Sequence, residues 1–317
     1  SGEGSLMSTT MIYRDAVRQT LIQEMDRDDD VFLIGEDIGR YQGTFRVTSG
    51  LFERFGGRRV IDTPITEPAI VGMSVGAAMT GLRPVVEMMT MSFSILALDQ
   101  VINHAAKVHY MTNGQAKVPM VIRGPGGAAN QLSAQHSHSI EGWYAHVPGL
   151  KVVAPATPAC AIGLLRSSIR DDNPVIFTEN PGLYGLKGEV PDDPEFTVPF
   201  GKARIAREGK DLTLIAYSRM VHVCLAAAET LAEDGIDAEV VDVGLPGLGG
   251  EEGELGHLDG FQGAEGQEQA DQGDDGQHDQ GPGAHGGGAG SPAHRSQGDG
   301  RTISAASGYG ADAARSG

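Results

Sequence analysis

The chain has 317 residues, 40 % of them apolar, and a formal net charge of -18. That length holds two domains of ordinary size, and the charge argues against nucleic acid or anionic membrane as partners, since both need a basic face. Its two cysteines, Cys160 and Cys224, exclude a disulfide framework, lack the spacing of a metal site and fit a reducing compartment.

Residues 1–8 carry neither the apolar core of a signal peptide nor the arginines of a transit peptide, and are expected to be a leader or expression remnant outside the fold. No apolar stretch reaches the length of a bilayer span, so a cytoplasmic protein is the default. From there the chain has a regular rhythm. Ile12, Ala16, Val17, Leu21 and Met25 have helical spacing. Short apolar or β-branched runs at 31–34, 118–122, 152–154, 175–177, 212–216 and 239–243 have strand length and are bounded by Gly, Pro or Asp. The Gly- and Ala-rich stretch 69–81 predicts a helix at a tight crossing, and 221–231, closed by Gly235, predicts another. Strands that are apolar on both faces and alternate with helices predict a parallel sheet covered on two sides.

After Val243 the rhythm stops. Residues 244–317 hold 22 of the 46 glycines, only two aromatics, and 12 acidic against 3 basic residues. Such a stretch buries too little apolar surface to offset its chain entropy, and disorder is expected. A strand–helix–strand unit begins near Asp211 and breaks off at Val243, the pattern left by a shifted reading frame or a truncated gene. A genuine acidic linker is the competing reading, and a linker should follow a finished domain.

Three segments carry chemistry. In Asp62-Thr-Pro-Ile-Thr-Glu67 the last carboxylate leads into the small-residue helix. Taken alone, it reads as an exposed first-turn acid stabilised by the helix dipole; buried, it would need a partner or a proton. Arg123-Gly-Pro-Gly-Gly127 reads as a turn after the 118–122 strand, at the sheet edge where ligands bind, though without a phosphate-loop spacing. The following Gln135-His136-Ser137-His138 reads as a polar loop or a pair of metal ligands. In Glu87-Met-Met-Thr-Met-Ser-Phe93, the spacing of Met89 and Phe93 reads as a core stripe.

Those segments also stand together in one order. Asp62-Thr-Pro-Ile-Thr-Glu67, Gly76-Ala-Ala-Met-Thr-Gly-Leu-Arg-Pro-Val-Val-Glu-Met-Met-Thr-Met-Ser-Phe93, Val118-Pro-Met-Val-Ile-Arg-Gly-Pro-Gly-Gly127, Ala134-Gln-His-Ser137, Val147-Pro-Gly-Leu-Lys-Val-Val153, Ser168-Ile-Arg-Asp-Asp-Asn-Pro174 and Tyr217-Ser-Arg-Met220 follow the order and spacing of a known family. From about Thr9 to Val243 the chain resembles the β subunit of the first component of the pyruvate dehydrogenase complex, a thiamine diphosphate-dependent 2-oxo acid dehydrogenase.

The resemblance implies a transketolase-like pyrimidine-binding domain over 9–195 and the start of a transketolase C-terminal domain over 200–243. It implies a cofactor, thiamine diphosphate, shared with an α subunit in an α2β2 heterotetramer. Glu67 would hydrogen-bond N1′ of the aminopyrimidine, whose proton exchange favours the tautomer that activates the thiazolium carbon. Ile65, Met89 and Phe93 would wall the pyrimidine, and His136 would orient the 2-oxo acid or donate a proton as the acyl group passes to the lipoyl arm of an acyltransferase core. His138 has no such role and stays a loop residue. A potassium site would use mainly backbone carbonyls at Met120, Ser168, Ile169, Asp171 and Asn173. The pyrophosphate and magnesium would be held by the α subunit, because the Gly-Asp-Gly motif is absent from 1–243 and Gly298-Asp-Gly300 stands alone in the tail. Two siblings share this pattern, the branched-chain 2-oxo acid and acetoin dehydrogenase β subunits. The reading from another class is a non-catalytic interaction protein with a defective enzyme domain and an acidic tail.

Overall fold

The computed structural model describes residues 8–128 and 131–244 and the backbone of 302–304. Strand β1 (Ser8–Ile12) runs directly into helix α1 (Tyr13–Arg27). On α1 the buried positions Tyr13, Ala16, Val17, Thr20, Leu21, Glu24 and Met25 repeat at three and four residues, so one stripe faces the core. There follow β2 (Val31–Gly35), α2 (Leu51–Phe55), β3 (Val60–Asp62), α3 (Glu67–Met79) and β4 (Arg83–Glu87). Irregular helical turns come next, a 3-10 segment over Met91–Ala97 and a π segment over Gln100–Ala105, then α4 (Val108–Met111) and β5 (Val121–Pro125). After α5 (Glu141–Ala145) come β6 (Lys151–Val153), α6 (Pro158–Arg170), β7 (Val175–Glu179) and β8 (Lys187–Pro191).

Six strands form one parallel sheet in the order β3-β2-β4-β5-β7-β6. Alternation along the strands divides the core. Leu33, Val85, Val121, Val175 and Phe177 face α1 and α6, whereas Ile34, Val86, Ile122 and Ile176 face α3 and the π segment. Both faces are therefore covered, as the doubly apolar runs require. Outside this sheet, β1 and β8 pair antiparallel.

A second sheet is built from β9 (Arg204–Arg207), β10 (Leu212–Ala216), β11 (Ala238–Asp242) and β12 (Thr302–Ser304), in the order β12-β10-β11-β9, with helix α7 (Arg219–Glu233) packed against β10 and β11. Its core is small: Leu214, Ala216, Val221, Cys224, Ala228, Ala238 and Val240.

Several sequence expectations shift. The strand expected at 118–122 lies three residues further on, because Arg123, Gly124 and Pro125 continue it instead of turning. Strands β3 and β4, the β1–β8 ribbon and β9 carry no apolar run that the sequence reading recognised. The 1–8 leader and the disordered-tail expectation lie outside the described residues, except for Ser8 in β1, Gly244 and the three-residue β12, which pairs parallel with β10.

Candidate active site

The chain leaves β2 for β3 on one side and then returns to β4 on the other. Such a reversal opens a crevice at the carboxyl ends of the strands. Glu36 follows β2 there, Thr63 to Glu67 follow β3, and Met88 to Phe93 follow β4.

Glu67 is the first residue of α3, with Pro68 behind it in the first turn, and only 5 % of it is exposed. The exposed first-turn reading is thus corrected: the carboxylate is buried. Its neighbour is Glu36, equally buried, whose Oε1 meets no donor among the described residues. Burial pushes the Glu36 carboxyl up and the Glu67 carboxylate adds to this, while the Thr66 backbone amide donates to Glu36 and opposes it. The sequence reading missed Glu36, and its only signal was an acid placed directly after a Gly-ended strand.

The apolar side of the crevice is not core. Ile65 is 79 % exposed, and Met89 and Phe93 are half-buried, which overturns the core-stripe reading. Thr90 fixes this wall by accepting the Ser92 amide at 3.3 Å and donating to the Pro125 carbonyl at 3.2 Å. The Phe93 ring meets exposed His136 edge-on, with centroids 5.1 Å apart. The His136 loop is held in strained form, with Gln131 and Ser133 at φ 54° and 71°, and Ser137 Oγ donates to the Ser133 carbonyl at 2.8 Å. His138 ties that loop down: its carbonyl accepts the Gly127 amide at 2.8 Å and its amide donates to Ser92 Oγ at 3.3 Å. Among the described residues no three His, Cys, Asp or Glu side chains converge as a metal site.

A second acidic cluster lies at the same edge. The Arg123 guanidinium is bidentate to Glu179, Nε to Oε1 at 2.5 Å and Nη2 to Oε2 at 2.8 Å, and its Nη1 pairs with Glu87. Tyr184 donates its hydroxyl to Glu179 at 2.9 Å. All four side chains are buried. Burial pushes the Glu87 carboxyl up against the pull of Arg123, and Glu179 and Glu87 hold the Arg123 guanidinium far above its usual range. Arg123 therefore has a structural occupation, where the sequence suggested a ligand-binding turn.

The five positions expected to hold potassium lie at the opposite, amino edge, where α6 ends and β5 and β7 begin. The Met120 carbonyl accepts the Val175 amide at 2.9 Å, and the Ile169 and Asp171 carbonyls each accept from Arg83 Nη1 at 3.0 Å. Asp171 also accepts the Asn173 amide at 2.8 Å. Ser168, in the last turn of α6, completes the set.

A cavity of about 190 Å³ opens elsewhere, between the two sheets, and is lined by Ser139, Glu141, Thr178, Asn180, Tyr217 and Arg219 among others. Gly126 and Gly127 of the expected glycine turn also line it, whereas Ile65, Glu67, Met89, Phe93 and His136 do not. Burial pushes up the Glu141 carboxyl, which accepts from Tyr217 Oη at 3.2 Å.

Comparison with known proteins places these features in a family. Residues 9–187 match the family model of the transketolase pyrimidine binding domain, and 201–245 match that of the transketolase C-terminal domain. The pyruvate dehydrogenase E1 component subunit beta of Rhizobium meliloti is 53 % identical over 234 residues, covering 74 % of this chain and 51 % of its own. That of Rickettsia felis is 53 % identical over 230 residues, with 73 % and 70 % covered. The mitochondrial protein of Dictyostelium discoideum is 49 % identical, with 73 % and 65 % covered. The chain thus spans about half the length of the first and roughly two thirds of the others. A solved split-gene transketolase, an inactive β4 tetramer, superposes with a TM-score of 0.59 at 21 % identity over 74 % of this chain and 72 % of that one. The transketolase of Campylobacter jejuni gives 0.60 at 17 % over 77 % and 37 %. At those identities the structures establish the shared fold alone.

Proposed function

The chain belongs to the family of pyruvate dehydrogenase E1 component β subunits, and on that premise we propose that it supplies half of a thiamine diphosphate site for oxidative decarboxylation of pyruvate. Its partners in this reading are an α subunit, in an α2β2 heterotetramer, and the lipoyl arm of an acyltransferase core that takes the acyl group. One observation carries the proposal: a buried carboxyl pair, Glu36 and Glu67, with an oxygen unmet among the described residues, at a strand-order reversal walled by exposed Ile65 and half-buried Met89 and Phe93.

These residues fit the cofactor's pyrimidine end. A flat ring would cover the apolar wall, and a ring nitrogen would meet the buried Glu67 carboxyl. When bound, the cofactor supplies the electron sink for losing carbon dioxide from a 2-oxo acid. The chain's residues do the remaining work. Glu67 holds or releases a proton at N1′, and Glu36 opposes a permanent second charge beside it. Ile65, Met89 and Phe93 orient the ring and exclude water. His136, braced on Phe93, orients the substrate or donates a proton during acyl transfer. The pyrophosphate and its magnesium are assigned to the α subunit. A potassium ion is assigned to the carbonyls of Met120, Ser168, Ile169, Asp171 and Asn173, hard oxygen donors of the kind that replace an alkali ion's water.

The test is reconstitution of the full chain with an α subunit from a relative, reading 2-oxo acid-dependent reduction of an artificial electron acceptor. Pyruvate is expected to exceed 2-oxoisovalerate and acetoin at least tenfold. A preference for either of the others moves the chain to that sibling activity. The absence of any cofactor-dependent rate from a formed complex leaves the non-catalytic reading.

A further inference from the structure

Asp62 ends β3 beside Gly35 of β2, its register partner, and the next amide, that of Thr63, donates to the Gly35 carbonyl at 3.0 Å. From this point the two strands part. One runs on to Glu36, the other through Thr66 to Glu67. The Asp62 carboxylate bridges the gap between them: Oδ1 accepts the Gly39 amide at 2.6 Å and Oδ2 the Arg40 amide at 3.1 Å. Both oxygens are thus spent on the turn that follows Glu36. That turn is shaped for the contact. Asp37 takes a left-handed φ of 56°, its carbonyl accepts the Gly43 amide at 2.8 Å, and the carbonyl of wholly buried Ile38 accepts from Thr48 Oγ1 at 2.7 Å. Gly39 has no Cβ where one would lie 2.8 Å from Asp62 Oδ2 and 2.9 Å from the Phe52 ring.

From this geometry we infer that Asp62 is the positioning residue of the carboxyl pair: it clamps the turn after Glu36 onto the segment that leads to Glu67 and so keeps the two acids together, a role in the reaction that rests on the thiamine diphosphate reading above. A clamp is needed because two buried acids gain by separating or by turning out to water. Hydrogen bonds from backbone amides to a carboxylate are roughly twice as strong as neutral ones, and two of them on consecutive residues fix direction as well as distance. Glu67 and the Thr66 amide face Glu36 from the β3–α3 segment, and Asp37 faces it from its own turn. Releasing the clamp takes Glu36 away from the first two and opens it to water. Burial and Glu67, the two largest influences, both push the Glu36 carboxyl up, so its titration should move down.

The test reads that carboxyl directly, by carbon NMR of the full chain labelled at its glutamate side-chain carboxyls, with the Glu36 signal assigned by Glu36→Gln. Wild type is expected to titrate above the ordinary glutamate range, and Asp62→Ala to fall back toward it. In enzyme reconstituted with an α subunit, the same variant should lose about tenfold in pyruvate-dependent acceptor reduction, through kcat, as a displaced catalytic group would. A Glu36 that titrates in Asp62→Ala as it does in wild type overturns the inference, and so does an Asp62→Ala enzyme of undiminished rate. A wild-type complex with no cofactor-dependent rate overturns the functional reading instead, and the titration alone then decides whether Asp62 holds the pair. If Asp62→Ala does not fold, Gly39→Ala serves in the same titration, because its Cβ parts the turn from an intact carboxylate. There a lowered midpoint supports the clamp, and an unchanged one refutes it.

Discussion

Glu87 and Glu179 end β4 and β7, while Glu36 and Glu67 follow β2 and β3, so four buried acids share one edge of one sheet. Around the first pair the fold closes a circuit of Arg123, Tyr184 and both carboxylates. Around the second it leaves one oxygen unmet among the described residues, with Ile65 exposed and Met89 and Phe93 half-buried. Burial of charge is costly in both places. Where it is fully paired it specifies how strands meet, and where it is not, the proposed cofactor would complete the site.

The largest expected effect is on the closed circuit. Arg123→Met strands two buried carboxylates, and a loss of about 3–5 kcal/mol in urea unfolding is expected. A loss below about 1 kcal/mol would mean that the circuit is dispensable and would dissolve the contrast. Gly124→Ala probes the β4–β5 seam inside the same circuit. A Cβ at that position would lie 2.6 Å from the Met88 carbonyl, so β4 and β5 must part, at about 1–3 kcal/mol. The smallest effect is at the open pair. The folded Glu36 carboxyl titrates above its unfolded value, so its contribution to stability is full below the ordinary carboxylate range and is lost as pH rises through the folded value. Glu36→Gln removes that loss. Relative to wild type its unfolding midpoint should rise from acid to neutral pH and then level off, and a difference that shrinks with pH would contradict the pairing.

The parallel sheet was legible because period-two runs such as Val121-Ile122 and Val175-Ile176-Phe177 are apolar on both faces. Glu67, Phe93 and His136 were legible as members of an ordered motif set, although the composition of each segment alone pointed to a surface acid, a core ring and a loop. Glu36 was not legible, because what makes it unusual is a neighbour 31 positions away that only the strand order β3-β2-β4 brings alongside. Arg123 misled for the same reason. A cation followed by Gly and Pro reads as a turn until Glu87 and Glu179, 36 and 56 positions away, neutralise it inside the sheet. Non-local charge pairing leaves no periodic trace in a sequence.

The most direct measurement is Glu67→Gln in the enzyme reconstituted with an α subunit, read in parallel by pyruvate-dependent acceptor reduction and by thermal unfolding. Acceptor reduction is expected to fall about 100-fold or more, with stability changed by less than about 1 kcal/mol. Full activity, or a loss explained by unfolding, would contradict a catalytic carboxyl at Glu67 and reduce the open pair to another structural feature of the sheet edge.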